Sequence, residues 1–355
     1  MNQRITLLVA SALCCAGGLQ SQELQPANTV ILPAIGSNPE TGLQYGAYVM
    51  RQFAQTEANT PADRLEMVIQ GTTKGQFQAY FWPNLFFSEG DWNLTGQLGG
   101  RFWPTPYYGQ SNDTPLDAEP ETYELTAFDS EIGASYRIRP GVRLGLLAFA
   151  DYESISDDPD NPLLNSSVRG FDGGFYTGLG AFATWDTRNN RDWPTEGYLT
   201  YLAGRQAIGL MGSDSDFGGV SFRQRGYFAV GDDVIALGLN YEFGCITTPF
   251  TRLPRPYGST SLRGANGALW IDHHMLGTQA EYRKTLTDRW AMTGFLDTAQ
   301  VAPTIDGFGI DRSHLSLGAG IRYATMETSR FNIRADIGWV DFETVGLVIS
   351  VGEAF

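Results

Sequence analysis

The chain has 355 residues, a formal net charge of −15 and 18% charged residues. A surface this acidic is a poor match for nucleic acid, whose phosphate backbone selects a basic face. Cys14 and Cys15 stand near the start and Cys245 is the only other cysteine, so crosslinks within the mature chain do not hold the fold together.

Residues 1–21 read as a secretory signal peptide: Arg4, an apolar run over 5–16, then small and polar residues. The run is too short for a transmembrane helix, which takes about 20 apolar residues. A lipoprotein signal wants a small residue before its cysteine, and Leu13 and Cys14 fill those places. Residues 22–355 read as one domain. No later segment is long and apolar enough to span as a helix, yet the chain carries 42 glycines and 13% aromatics. That composition suits a transmembrane barrel or a large soluble β-protein, and the pattern along the chain decides between them.

Alternation with period two dominates. A short first strand is expected over 29–35. Clear strands follow over 128–138, 142–152, 175–185 and 235–243. Over 314–323 one face reads Leu315, Leu317, Ala319, Ile321, Tyr323 and the other His314, Ser316, Gly318, Gly320, Arg322. Over 330–339 the apolar face is Phe331, Ile333, Ala335, Ile337, Trp339, opposite Arg330, Asn332, Arg334, Asp336, Gly338. Successive strand side chains point to opposite sides, so each segment has an apolar side and a side of charge and glycine. In a membrane barrel the first meets lipid and the second lines the lumen. Aromatics such as Trp92, Tyr107, Trp185, Trp193, Trp290 and Trp339 sit at strand ends, where interfacial girdles are built. Tight connections at 139–141, 194–197, 231–233, 287–289 and 326–328 alternate with long ones at 104–122, 154–172, 245–274 and 301–312. Short turns on one side and long loops on the other are the barrel rule, the short ones being periplasmic. The last strand, 345–355, places Val345, Leu347, Ile349, Val351 and Phe355 on one face, and Val351 with Phe355 reads as a C-terminal strand signal. The expected fold is all-β, a transmembrane antiparallel barrel of sixteen strands with a long loop folded inward.

Several stretches stand out in order along the chain: Pro39-Glu40-Thr41-Gly42-Leu43, Tyr107-Tyr108-Gly109, Trp185-Asp186-Thr187-Arg188-Asn189 with Pro194-Thr195-Glu196-Gly197-Tyr198, Ser261-Leu262-Arg263-Gly264, Ala280-Glu281-Tyr282-Arg283 and Phe295-Leu296-Asp297. Together they resemble the BamA–TamA superfamily of outer-membrane barrels, in particular its bacterial surface antigen domain. Their order and spacing carry the resemblance. The resemblance implies a lid motif at Leu262, Arg263 and Gly264 whose lumen partners are Glu281 and Asp297. Alternation agrees, since Tyr282 and Leu296 facing lipid would turn Glu281 and Asp297 inward. Arg263 could then pair bidentately with one of the two carboxylates, and Gly264 would let the backbone pass close to the wall. The chain departs from the family pattern at Ala265, where an aromatic is usual, and at Ala299, where glycine is usual. About ten residues separate the signal from the first strand, so the reading is a barrel-only branch without POTRA domains.

The resemblance implies a bacterial outer-membrane protein acting in protein insertion or translocation. Its seam would lie between the strand starting near Thr41 and the strand ending at Phe355. The alternative is a lidded, porin-like channel for small solutes. Expected partners are outer-membrane lipid and a separate periplasmic protein in place of the POTRA domains, with no nucleic acid, cofactor or metal. His314-Leu315-Ser316 has the spacing of a phospholipase His–Ser pair, but alternation assigns both to the lumen, away from lipid. Asp272-His273-His274 lacks a further nearby histidine and reads as a loop end. No catalytic motif is present, so no enzymatic activity is expected.

Overall fold

A computed structural model describes residues 24–38, 41–57, 60–156, 162–256, 261–325 and 330–355. The expected signal peptide, Pro39, Glu40 and the 326–328 turn lie outside them. The strands are β1 (Asn28–Pro33), β2 (Gly36–Asn38), β3 (Gly42–Gln52), β4 (Arg64–Thr72), β5 (Phe77–Phe87) and β6 (Trp92–Tyr107). They continue with β7 (Glu121–Arg139), β8 (Val142–Ser156), β9 (Gly173–Asp186), β10 (Gly197–Ala207), β11 (Phe217–Val230) and β12 (Asp233–Gly244). The last five are β13 (His274–Thr285), β14 (Trp290–Ala302), β15 (His314–Ala324), β16 (Asn332–Val340) and β17 (Thr344–Val351). No described helix is long and apolar enough to cross a membrane.

From β3 onward each strand pairs antiparallel with the next, and β17 lies beside β2. β1 pairs with Ala47–Gln52 of β3 and β2 with Gly42–Gln44, so they are two pieces of one strand broken at Ala34 and Ile35. Counted so, one sheet of sixteen antiparallel strands returns on itself. The seam falls between β17 and the three-residue β2, not at the strand starting near Thr41. β3 is the second strand of the wall.

The two faces settle the environment. Tyr282, Leu296, Leu317, Ile321, Ile337, Trp339, Leu347 and Ile349 are exposed, whereas Arg283, Arg322, Arg334, Asp297 and Asp336 are buried. A water-soluble sheet hides its apolar side; this one displays it and hides the charge, as a wall bathed in hydrocarbon does. The lumen is not empty. Residues from the long loops pack inside it, among them Phe250, Leu253 and Ile271 against Tyr107, Tyr123 and Leu125, and Leu262, Leu269 and Trp270 against Met275 and Val301.

Four expectations are corrected at strand ends. Gly352 at φ +72° turns the chain off β17, so Phe355 is buried inside the lumen with Tyr227, Val234 and Ala236 rather than sharing the lipid face with Val351. Phe331 likewise turns inward and stacks on Tyr48 at 6.1 Å. Tyr107 and Trp193, expected in the girdles, are buried. The connection around 194–197 is also longer than a tight turn: it runs over 187–196, and its tip folds into the barrel.

Candidate functional site

The segment from Ser261 to His273 runs through the lumen between β12 and β13. Leu262 and Trp270 are fully buried, and the Trp270 indole N–H donates to the Thr114 carbonyl at 3.0 Å. Gly264 sits at φ +88°, a conformation that favours glycine. A Cβ there would stand 2.9 Å from the Gly338 carbonyl oxygen of β16, and one at Gly346 of β17 would stand 2.1 Å from the Gly264 carbonyl oxygen. Backbone therefore lies directly on backbone where the loop crosses β16 and β17.

Arg263 is seated on both predicted carboxylates. Its Nε and Nη2 donate to Asp297 Oδ2 and Oδ1 at 2.7 and 2.8 Å, its backbone N–H adds a third bond to Asp297 at 3.1 Å, and Nη1 donates to Glu281. The expectation of one bidentate partner thus understates the site. The guanidinium also lies 3.5 Å above the Phe295 ring centroid, a cation–π contact strengthened by desolvation. Ser316 Oγ donates to the Arg263 carbonyl at 2.5 Å.

Further inward charges complete the cluster. Arg283 Nε donates to Glu281 at 2.7 Å. Arg322 donates to Glu281, Asp336 and Glu353 at 3.1, 2.6 and 3.0 Å. Arg334 donates to Asp336 at 2.7 Å. Four guanidinium groups (Arg263, Arg283, Arg322, Arg334) face four carboxylates (Glu281, Asp297, Asp336, Glu353), so the cluster is neutral. Such compensation is what burial of charge demands. On β15, Gly320 makes room: a Cβ there would fall 1.9 Å from Asp336 Oδ1.

The same loop has a second arginine on the opposite wall. Arg252 Nη2 lies 3.2 Å from Asp129 and 3.0 Å from Glu153, and Nη1 lies 3.2 Å from Asp151. Thr251 Oγ1 donates to Glu153 at 2.5 Å, and Arg101 and the Tyr80 hydroxyl close around Asp129 at 2.9 and 2.6 Å. Alternation along β7 and β8 turns Asp129, Asp151 and Glu153 inward, so the acids were legible. Nothing in sequence spacing ties a loop arginine to strands some hundred residues away.

The remaining sequence motifs have structural partners. His314 Nδ1 meets Asp341 at 2.7 Å, Nε2 meets the Asn112 carbonyl at 2.8 Å, and the ring stacks on Trp270 at 3.5 Å. With Ser316 engaged on Arg263, the two do not form a nucleophile–base pair. His273 contacts the Gly244 carbonyl and His274 the Tyr241 hydroxyl. Among the described residues no group of metal-binding side chains converges. Cys245, just beyond β12, has a thiol that burial pushes up. Hydrogen bonds from the Gly218 N–H and the Thr247 and Thr248 hydroxyls outweigh this and bring it down to about 7.

A closed β-wall with an apolar exterior, an ion-paired interior and a loop folded through the lumen defines an outer-membrane barrel. The Omp85 superfamily domain model matches residues 69–355, and the chain belongs to that superfamily. Among solved structures, BamA from Haemophilus ducreyi lacking POTRA domains 1–3 superposes with a TM-score of 0.60 at 13% identity, covering 92% of this chain and 69% of that one. CdiB from Acinetobacter baumannii gives 0.58 at 13% identity over 92% of this chain, and CdiB from Escherichia coli 0.58 at 11% over 94%. The chain spans 59% and 62% of those two CdiB chains. No relative matches among curated proteins. At such identities the likeness is one of fold.

Proposed function

We propose that this barrel, exported by residues 1–21, inserts or translocates polypeptides at the outer membrane, with outer-membrane lipid around it and a separate periplasmic protein delivering its clients. One observation carries the reading: the loop seated by Arg263 lies with Gly264 against Gly346 of β17, the strand that forms the seam with the three-residue β2. A sheet is held by its ladder of backbone hydrogen bonds. The β6–β7 ladder has sixteen paired positions, and β2 offers three residues. A seam so short is where an incoming strand can add to the edge of β17. The lid then stands as a control on that edge rather than only as a plug in a channel.

A photo-crosslinking residue at Val345 of β17 or Ser37 of β2, in cells, tests this. The expected adducts are polypeptides in transit, absent when the crosslinker is placed at Leu146 on the far wall. Equal capture at all three positions, together with a large, steady conductance of the intact protein in planar bilayers, would establish the solute-channel reading instead.

A further inference from the structure

The lid closes the lumen from one side; the 187–196 connection lies at the other. Its shape is set by two asparagines. Asn189 Oδ1 accepts the N–H groups of Thr195 and Glu196 at 3.1 and 3.3 Å, and Asn190 Oδ1 accepts those of Asp192 and Trp193 at 2.8 and 3.0 Å. Side chains of this kind preset a turn by bonding backbone a few residues on. The result directs Asp192, Trp193 and Pro194 into the barrel, where all three are buried.

Each of the two functional side chains then reaches a distant part of the wall. Asp192 receives a bidentate pair from Arg64 at the start of β4, at 2.7 and 2.9 Å, five strands away around the ring. Arg64 is braced in turn by Gln52 at 2.8 Å. The Trp193 ring lies under Arg283 of β13 at 5.2 Å and Arg330 of the β15–β16 connection at 4.7 Å. A segment that leaves β9, touches β4, β13 and the β15–β16 connection, and returns to β10 has to lie across the mouth.

We infer that residues 190–194 form an inner gate over the periplasmic mouth, coupled to the outer lid through Arg283 and Glu281. The column is continuous. Trp193 faces Arg283; Arg283 donates to Glu281; Glu281 accepts from Arg263 of the lid. Arg283 is the movable member. Its Nη1 has no hydrogen-bond partner, its Nη2 donates to the Phe355 carbonyl at 3.1 Å, and its flat faces rest on the rings of Trp193, Tyr227 and Phe355. Taking away the Trp193 ring lets the guanidinium drop from Glu281, which then holds Arg263 with one fixed neighbour fewer. Release of the lid loosens the inner gate by the same route, since coupling between sites is reciprocal, but the Arg64–Asp192 pair still holds the gate shut.

The test uses the full chain in outer-membrane vesicles, carrying Cys245→Ser and a reporter at Ala265→Cys in the lid. Maleimide–polyethylene glycol labelling of the reporter should speed up by about two- to tenfold in Trp193→Leu, a range typical of coupled contacts. Leucine keeps apolar bulk and removes the aromatic face. Heat-dependent gel mobility confirms that each variant is folded. In planar bilayers Arg263→Ala alone and Asp192→Ala alone should each conduct weakly, and the double variant strongly and steadily. A large conductance from Arg263→Ala alone would show that nothing closes the inner mouth. An unchanged labelling rate in folded Trp193→Leu would show that the two gates are independent.

Discussion

Arg252 and Arg263 belong to one loop, bear one charge and each face at least two carboxylates, yet their surroundings differ. The Arg263 side chain, Glu281 and Asp297 are wholly shut off from solvent, whereas the Arg252 side chain is 22% exposed. Burial makes the first cluster close to all-or-none: every hydrogen bond is directed, and losing one member strands the others in a medium that cannot hydrate them. In the second cluster water reaches part of the Arg252 side chain, although Glu153 is as shut off as Glu281, so only part of what is lost can be replaced. Identical chemistry on the two walls therefore yields one catch that defines the position of the loop and one that steadies it.

Arg263→Ala should have the largest effect, because it strips Asp297 of the arginine that binds it three times and leaves Glu281 to Arg283 and Arg322. Removing one partner of a buried pair costs about 3–5 kcal/mol. The readout is proteinase cleavage of the 257–270 segment in intact vesicles, and Asp297→Ala should fall in the same class. A double-mutant cycle on these two should show strong non-additivity; simple additivity would dismantle the pair. Gly264→Val comes next. It forces a branched side chain into a positive-φ position already in contact with Gly338, at a cost of about 1–3 kcal/mol, and the same cleavage assay should show partial release. Arg252→Ala should loosen the loop less than Arg263→Ala, because water reaches part of the Arg252 side chain and none of Arg263. Were its effect to equal that of Arg263→Ala, the distinction drawn from solvent access would be lost. The smallest effect concerns Cys245. A thiol lowered to about 7 is reactive as thiolate above that pH, so its alkylation by iodoacetamide should rise to half its plateau near pH 7. A midpoint in the ordinary thiol range would show that the Thr247 and Thr248 contacts do not hold in solution.

The wall was legible because its physics is local and periodic. Alternation turned Glu281, Asp297, Arg322, Arg334 and Asp336 inward without reference to any other strand. The resemblance added Arg263, since no periodicity in a loop marks one arginine among several. What escaped was set by long-range closure. Arg252, Trp193 and Asp192 find partners on strands remote in sequence, and no spacing rule reaches across a lumen. Strand ends were misread for a different reason. Alternation presumes that the chain stays extended, and Gly352 breaks that premise one residue after β17, taking Phe355 to the inside. The seam was displaced by one strand because β1 and β2 are too short and interrupted to read as a full element.

The loop's two attachments also make it a tie across a ring. Only eleven peptide steps separate Arg252 from Arg263, a length of about 40 Å when taut. A hoop with one weak join opens under load by spreading its opposite arcs, and a tie fastened to both arcs limits the spread. The barrel is thus free to shift in small amplitude while both arginines hold. A wider aperture requires one fastening to let go, and the one on β7 and β8, whose arginine water partly reaches, is the one that yields first.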